Sequence, residues 1–429
     1  MSLLSLLSAA DGMHAWAIAT AATVAAGCAL VGTLLVVRRM SLVGDAISHA
    51  VLPGIVVAVL VGGRPGGVLV LAGAVAAALL TVWLTRVLHT AGGLAEDAGA
   101  GVAFTTLFAL GVVLITAVAS RADLDPGCVL HGVLELVPLD TIAIAGVDVP
   151  RAFLTATLVL LLLAAGAVAT WRWQVFTAFD AAAAEAAGVP VAAVTTGLLV
   201  ATALATVAGF EAVGAILVVA MLVVPAAAAE LLTRRLHRMA GVAMLLGVAA
   251  AGSGYLAAWW CNTNASGMIA VVLGLEYAAC VLFAPDDGLI ARLLGRAWFR
   301  WRVACEDELA ACWRAEETRG RQAAAPAALR PTLEERLAFA WLAMTGRVAR
   351  TPPGWTLTER GREQAILVVR SHRLWEAWLG RHVELPLDHL HPPAEWIEHH
   401  LGADIRRRIE AEVGGQASDP HGRSIPPES

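Results

Sequence analysis

The chain has 429 residues, of which 58% are hydrophobic and 15% are charged. This composition excludes an ordinary soluble domain, in which about 25% of the residues are charged. The formal net charge of −5 indicates no particular class of partner.

The hydrophobic and charged residues occupy different parts of the chain. Residues 1 to about 285 consist mainly of Ala, Val, Leu and Gly, whereas residues 290–429 are charged and contain many Trp and His residues. We therefore expect a membrane part followed by a water-facing part. The predicted division is residues 1–290 as a transmembrane domain, with two smaller water-facing regions after it.

The membrane part contains apolar windows of about 17 to 25 residues, the length that crosses a bilayer as a helix. Nine windows are predicted, and eight to ten remain possible. They lie at residues 14–37, 43–62, 66–88, 98–118, 152–170, 190–209, 211–229, 239–258 and 267–285. The predicted fold class is an all-α polytopic membrane protein with a mainly α-helical C-terminal domain.

The segment between the first two windows, residues 38–54, reads RRMSLVGDAISHAVLPG. Asp45 and His49 are four residues apart, so on a helix their side chains lie on one face. Ionisable groups at membrane depth are costly and mark pathways or sites, and a carboxylate with an imidazole is a partial ligand set for a divalent transition metal. A metal pathway is the first hypothesis. A buried pair that only ties helices together is the alternative.

Arginines at the ends of the windows predict the orientation, because basic residues favour the cytoplasmic side. The N-terminus is then outside, the C-terminal domain is in the cytoplasm, and residues 121–151 face outside with room for a short or re-entrant helix. The arginines that alternate consistently to one side are Arg38, Arg39, Arg86, Arg172, Arg234, Arg235 and Arg238.

A cytoplasmic loop is predicted at residues 174–190, QVFTAFDAAAAEAAGVP. It is either a simple connecting helix or a docking helix for a cytoplasmic subunit, with Phe179, Asp180, Glu185 and Gly188 as the docking residues. The chain has no GxxxxGK[ST] motif and no Lys to complete one. The chain itself is therefore not expected to be an enzyme, and ATP hydrolysis is expected on a separate chain.

Residues 14–290 resemble the permease subunits of ABC importers for manganese, zinc and iron. The specific matches are residues 38–54 and EAVGAILVVAMLVVPAAAAELLTRRL at 211–236. The resemblance implies a homo- or heterodimer of permease subunits in the lipid bilayer of the cytoplasmic membrane, docked on cytoplasmic ABC ATPase subunits. It also implies an extracytoplasmic metal-binding protein as a partner. Asp45 and His49 fall on the polar pair that lines the family's transport route.

The C-terminal part has its own metal-ligand pattern. His372 and Glu376 are at positions i and i+4, and a second segment, HPPAEWIEHH, follows. On a helix the side chains of each segment share one face. Carboxylate and imidazole donors without thiolate suit Mn²⁺, Fe²⁺ or Zn²⁺. The donors of the second segment are His391, Glu395, Glu398 and His399.

This region resembles metal-dependent repressors of the diphtheria-toxin-repressor type. The matching run is WTLTERGREQAILVVRSHRLWEAWLGRHVELPLDHLHPPAEWIEHHL, followed by DPHGRSIP at 419–426. The resemblance implies a primary metal site and a second, ancillary one. The implied primary ligands are Glu395, Glu398, His399 and Asp307, and the implied ancillary ligands are His372, Glu376 and His391. Ala310 stands where manganese-type members carry an acid, so the metal is not assigned.

The region that should read DNA is eroded. Residues 321–355 contain few basic residues at a plausible recognition helix, and a membrane tether restricts access to operators. DNA is therefore not an expected partner. Residues 291–360 are predicted to be a degenerate winged-helix-like region, and residues 361–429 a metal-binding and dimerisation-like domain with a flexible tail.

The sequence thus predicts the permease subunit of an ATP-driven importer of divalent transition metal, with a fused cytoplasmic metal-sensing domain that regulates transport. One alternative is a membrane-tethered metal-responsive regulator. The other is a secondary metal transporter that needs no ATPase.

Overall fold

The structure is a computed structural model that describes residues 3–40, 46, 50–62, 68–118, 134–144, 146–286, 288–319, 325–326, 332–351, 354–383, 397, 399–400, 402–414 and 418–427. The chain divides into two compact units, Met1–Ala291 and Arg292–Ser429. Each unit is described by itself below.

The first unit is built from apolar helices, one in each of the nine predicted windows, and a short helix, α6, that lies between two windows. They are α1 (Leu3–Val37), α2 (Leu52–Gly62), α3 (Val68–Thr90), α4 (Glu96–Val118), α5 (Arg151–Phe179), a short α6 (Ala181–Ala186), α7 (Val191–Val213), α8 (Ala215–Leu232), α9 (Leu236–Cys261) and α10 (Ala265–Phe283). Six of these helices are long and apolar enough to span a membrane, and α2, α3 and α4 contain shorter apolar stretches. The predicted fold class is confirmed.

Helix α1 lies at the centre of this unit. In its most apolar window 78% of the residues are buried, against 17% in α5 and α10, which therefore lie at the periphery. It packs against α5, α7, α8 and α9. A Cβ on Gly32 would lie 1.7 Å from the carbonyl oxygen of Leu222, so only glycine permits α1 and α8 to approach this closely.

Helices α2, α3 and α4 pack on one another, and α3 also packs on α7. A Cβ on Gly54 would lie 2.1 Å from the carbonyl oxygen of Gly73, so α2 and α3 meet backbone to backbone. The small residues that dominate the spans thus let the helix backbones pack closely. Close packing matters here because lipid is as apolar as the helix surfaces, so no hydrophobic effect drives the helices together.

Between α4 and α5 the structure describes a 3-10 helix, Leu134–Leu139, and an antiparallel hairpin of β1 (Thr141–Ile144) and β2 (Val147–Pro150). Gly146 occupies the turn with φ +85°. The sequence predicted a short helix here but not the hairpin.

The second unit combines helices with a small sheet. Its elements are α11 (Leu289–Arg319), β3 (Ala325–Pro326), α12 (Leu333–Met344), β4 (Val348–Thr351), β5 (Gly354–Leu357), α13 (Glu359–His382) and α14 (Ala403–Val413). The strands form an antiparallel sheet in the order β3-β5-β4. One core is shared by α11, α12, the sheet and the start of α13, and a second core joins α13 to α14.

In the described residues, α12 is followed by the antiparallel pair β4–β5 and then by α13. The interpretation of residues 291–360 as a degenerate winged-helix-like region stays a prediction.

Candidate metal sites and docking segment

The predicted pathway residues Asp45 and His49 lie outside the described residues. Their described neighbours are Ala46, which is 4% exposed, and Ala50, which is fully buried. Helix α1 ends at Val37, before both residues, and α2 begins at Leu52, after both. The segment therefore connects the central helix of the unit to the α2–α4 group.

The predicted docking residues surround α6. Phe179 ends α5 and is 91% exposed. The Asp180 side chain caps α6 by accepting a hydrogen bond from the N–H of Ala183 at 2.9 Å. Gly188 has φ +83°, a left-handed conformation that favours glycine and ends the helix sharply. The result is a short capped helix beside an exposed aromatic side chain.

The first half of the predicted loop is not a loop. Helix α5 continues through Phe179, so Gln174 and Thr177 belong to its last turns. Both side chains are buried, 6% and 7% exposed, and both accept hydrogen bonds from Arg38. This long-range contact, which local composition does not reveal, places them inside the bundle.

One cluster of carboxylate and imidazole groups forms where α11 meets His399. The Nδ1 atom of His399 lies 2.7 Å from Oε2 of Glu306, and its Nε2 atom lies 3.2 Å from Oδ1 of Asp307. The imidazole is 4% exposed. If Nδ1–H donates to Glu306, Nε2 presents its lone pair beside the Asp307 carboxylate. A carboxylate that orients a metal-ligating His in this way is a common supporting interaction in metal sites.

Of these residues, the sequence predicted Asp307 and His399 but not Glu306. Glu306 follows Cys305, which is buried in the core, and it pairs with Arg302 one turn earlier in α11. The sequence signal that could have identified Glu306 was a carboxylate at the edge of the buried face of a helix. The predicted primary ligands Glu395 and Glu398 lie outside the described residues.

A second cluster lies on α13. The Nε2 atom of His372 is 3.1 Å from Oε1 of Glu376, and the two side chains are 7% and 2% exposed. These two residues occur in the predicted geometry, one helical turn apart. His421 adds a second imidazole, with its Nε2 atom 3.9 Å from the same Glu376 oxygen. The sequence did not single out His421. His391 lies outside the described residues.

The loop that carries His421 is fixed by charged contacts. Asp419 is 4% exposed, and its carboxylate accepts a hydrogen bond from the N–H of Arg423 at 2.7 Å. Arg373 on α13 lies 4.0 Å from Asp419 and pairs with Glu317 on α11 at 2.6 Å. These contacts hold residues 418–424 against α13.

Both clusters suit a divalent transition metal by donor type, because carboxylate oxygen and imidazole nitrogen are ligands of Mn²⁺, Fe²⁺ and Zn²⁺. In the part of the chain that the structure describes, no group of three His, Cys, Asp or Glu side chains could hold a metal ion. Metal binding by either cluster therefore stays a prediction.

Comparison with known proteins supports the same two-part reading. Residues 11–284 match the ABC 3 transport family. Residues 358–427 match the iron dependent repressor, metal binding and dimerisation domain. Thus, the first match covers the apolar helices, and the second covers the α13 cluster and the C-terminal loop.

Individual relatives are similar to the membrane part of the chain. The chain is 42% identical over 282 residues to the manganese transport system membrane protein MntD of Bacillus subtilis, covering 66% of this chain and 95% of that protein. It is 34% identical over 274 residues to the zinc transport system membrane protein TroD of Treponema pallidum, covering 64% and 75%. PsaBC from Streptococcus pneumoniae in complex with Fab is a structural neighbour with TM-score 0.56 and 26% identity, covering 63% of this chain and 92% of that chain.

Proposed function

Because this chain belongs to the ABC 3 transport family, we propose that it is the permease subunit of an ATP-driven importer of divalent transition metal. The observation that carries this function is the 42% identity to a manganese permease over 95% of that protein's length. The apolar helices of the first unit form the multi-pass membrane domain. Relatives named for manganese and for zinc support a divalent transition metal as the substrate class.

The proposed orientation follows the positive-inside rule. The N-terminus is outside, and α6 and the second unit are in the cytoplasm of the cell, next to the cytoplasmic membrane. A cytoplasmic ATPase docks on Phe179, Asp180, Glu185 and Gly188, an extracytoplasmic metal-binding protein delivers the ion, and a second permease subunit completes the dimer. The exposed Phe179 beside α6 supports this docking site.

We propose Asp45 and His49 as the pair that contacts the metal in transit. Their support is chemical, since an acid and an imidazole at membrane depth are expensive unless they serve a pathway. Their place between α1 and α2 supports the same role.

The second unit is proposed to be a metal sensor that restrains transport. Its primary site would use Asp307, Glu395, Glu398 and His399, with Glu306 orienting the imidazole. Its ancillary site would use His372, Glu376 and His391, with His421 as an added donor. A bound ion would supply positive charge that holds these acidic and imidazole side chains together.

Transport of metal separates this function from the alternatives. Cells that express the chain with its ATPase and metal-binding protein should accumulate Mn²⁺, Zn²⁺ or Fe²⁺, and cells that lack only the ATPase should not. Uptake without the ATPase would indicate a secondary transporter, and no uptake in either case would favour a membrane-tethered regulator.

We propose that DNA is not a partner of the second unit. The exposed side chains of α12 include the apolar Leu333, Leu337 and Met344 and one basic residue, Arg336. Apolar side chains cannot neutralise phosphates, which supply most of the affinity of a protein for DNA. We therefore propose that the fused unit acts on the permease rather than on operators.

A further inference from the structure

Arg38, which directly follows α1, joins two other helices. Its Nη2 atom donates to Oε1 of Gln174 at 2.6 Å and to Oγ1 of Thr177 at 2.5 Å, both in the last turns of α5. Its Nη1 atom donates to Oγ1 of Thr195, at the start of α7, at 3.4 Å. The three acceptors form what we call the Arg38 cluster.

The Arg38 cluster differs from the ion pairs of two other arginines. All the described acceptors of Arg38 are neutral, whereas Arg362 and Arg373 pair with Glu316 and Glu317. Hydrogen bonds from a charged group to neutral acceptors are weaker than those in a charge pair. A contact built this way is easier to rearrange than an ion pair.

One donor of the cluster is also unsatisfied. The Nε atom of Arg38 is buried without a hydrogen-bond partner among the described residues. A buried donor without a partner is uncommon and calls for an explanation, such as stored strain or a functional role. A second arrangement of the cluster, in which Nε finds an acceptor, would relieve this cost.

The position of the cluster connects the two functional segments of the permease. The end of α5 and the start of α7 flank α6, the proposed docking helix. The end of α1 leads into the segment with Asp45 and His49. The hydrogen bonds of Arg38 therefore link the two helix ends that flank α6 to the end of α1, from which the chain enters this segment.

We propose that Arg38 is a positioning residue that transmits movement of the docking helix α6 to the end of α1. This inference rests on the proposed permease function. When the ATPase displaces α6, the ends of α5 and α7 move with it, the Arg38 cluster changes to its second arrangement, and the end of α1 shifts as a result. Arg38 itself contacts neither nucleotide nor metal.

The test compares Arg38→Gln with Arg39→Gln in the full chain, reconstituted in proteoliposomes with its ATPase and metal-binding protein. Arg39 is the adjacent residue, is exposed, and carries the same charge at the same end of α1. Both variants therefore change the basic residues that set the orientation equally. Mn²⁺, Zn²⁺ and Fe²⁺ are each supplied as the probe, and metal moved per ATP hydrolysed is measured.

We expect Arg38→Gln to lower metal moved per ATP by roughly 5- to 150-fold, the range typical of coupling between two sites. ATP hydrolysis and crosslinking of the ATPase to α6 should remain. Arg39→Gln should match the wild type, and Arg38→Lys should restore part of the ratio because lysine can still donate to Gln174 and Thr177. If Arg38→Gln and Arg39→Gln moved the same amount of metal per ATP, this inference would be overturned and the proposed function would stand.

Gln174→Glu gives a second test that does not require Arg38 to be removed. A carboxylate would turn the contact into an ion pair and hold the cluster in its present arrangement. If the cluster were only a structural tie, this variant would keep normal turnover. We expect slower turnover without loss of assembly, and normal turnover would overturn the inference even if Arg38→Gln failed to assemble. No metal uptake by the wild-type complex would instead overturn the proposed function together with this inference.

Discussion

At the residue scale, the pair of Asp45 and His49 gives the most direct prediction. Asp45→Ala or His49→Ala should abolish metal uptake, because each change removes a donor from a route where few polar groups are tolerated. Uptake of radioactive metal by cells with equal amounts of assembled permease measures the effect.

Asp148 provides the matched control for the acid. It lies on β2 and is exposed, so Asp148→Ala should leave uptake unchanged. Wild-type uptake in both the Asp45 and the His49 variants would exclude the pair from the pathway.

The contacts of His399 predict different effects for its neighbours. Loss of Glu398 and His399 together should remove most metal binding to the second unit. Glu306→Gln should weaken it by about 10- to 100-fold, as expected for a carboxylate that orients a ligand rather than binding the metal itself. Titration calorimetry on the full chain carrying Asp45→Ala and His49→Ala isolates the C-terminal sites.

Glu334, an exposed acid on α12, is the control for Glu306, and Glu334→Gln should bind metal normally. Binding should also weaken as the pH falls below about 6.5, because ligation requires neutral imidazole. Equal affinities in the Glu306 and Glu334 variants would show that Glu306 does not support the site.

At the scale of elements, α6 is expected to be the contact for the ATPase. Single cysteines in place of Phe179 or Glu185 should crosslink to cysteines in the groove of the ATPase, with the exposed Cys261 replaced by serine. Phe179 is 91% exposed, so its position is accessible to a partner.

The control position is Trp260, which is 88% exposed at the end of α9 predicted to face outside. A cysteine there should give no crosslink to a cytoplasmic subunit. Crosslinks confined to residues after 290 would place the ATPase elsewhere.

The contact between α11 and α13 predicts a pH effect on the C-terminal loop. The hydrogen bond from Arg373 lowers the pKa of Glu317 below its usual value of 4.5. The ionised form is therefore favoured in the folded protein, so its stabilisation is present above pH 4.5 and is lost as the pH falls through the lowered pKa. Glu317→Gln should loosen residues 418–424 at neutral pH.

Hydrogen exchange of residues 418–424 in the full chain, corrected for the intrinsic pH dependence of exchange, measures this loosening. The difference between wild type and Glu317→Gln should be full at pH 7 and should shrink below pH 4.5. A difference that does not depend on pH would mean that packing, not charge, holds the loop.

At the scale of the whole molecule, a permease and a metal-binding domain in one chain predict feedback. A high metal concentration on the cytoplasmic side should slow transport in proteoliposomes by roughly 5- to 150-fold, the effect that typical coupling free energies between two sites produce. Glu398→Ala/His399→Ala should remove this inhibition, whereas Glu334→Ala should keep it. Identical inhibition curves in all three proteins would leave the second unit as a scaffold.

The sequence by itself determined the membrane helices and the division into an apolar and a charged part. Both depend on local properties, since about 20 consecutive apolar residues cross a bilayer wherever they occur. The relation of His372 to Glu376 was equally local, because side chains four residues apart meet on any helix. The resemblance to known permeases and repressors rested on residues that are also close together in the chain.

The tertiary structure alone decided the contacts between distant residues. Arg38 meets Gln174 across 136 positions, and His399 meets Glu306 across 93. Gln174 was predicted to lie in a loop, but it lies in the last turns of α5, where its side chain accepts a hydrogen bond from Arg38. Such pairings depend on which helices pack side by side, and the composition of one segment does not determine which distant segments pack against it.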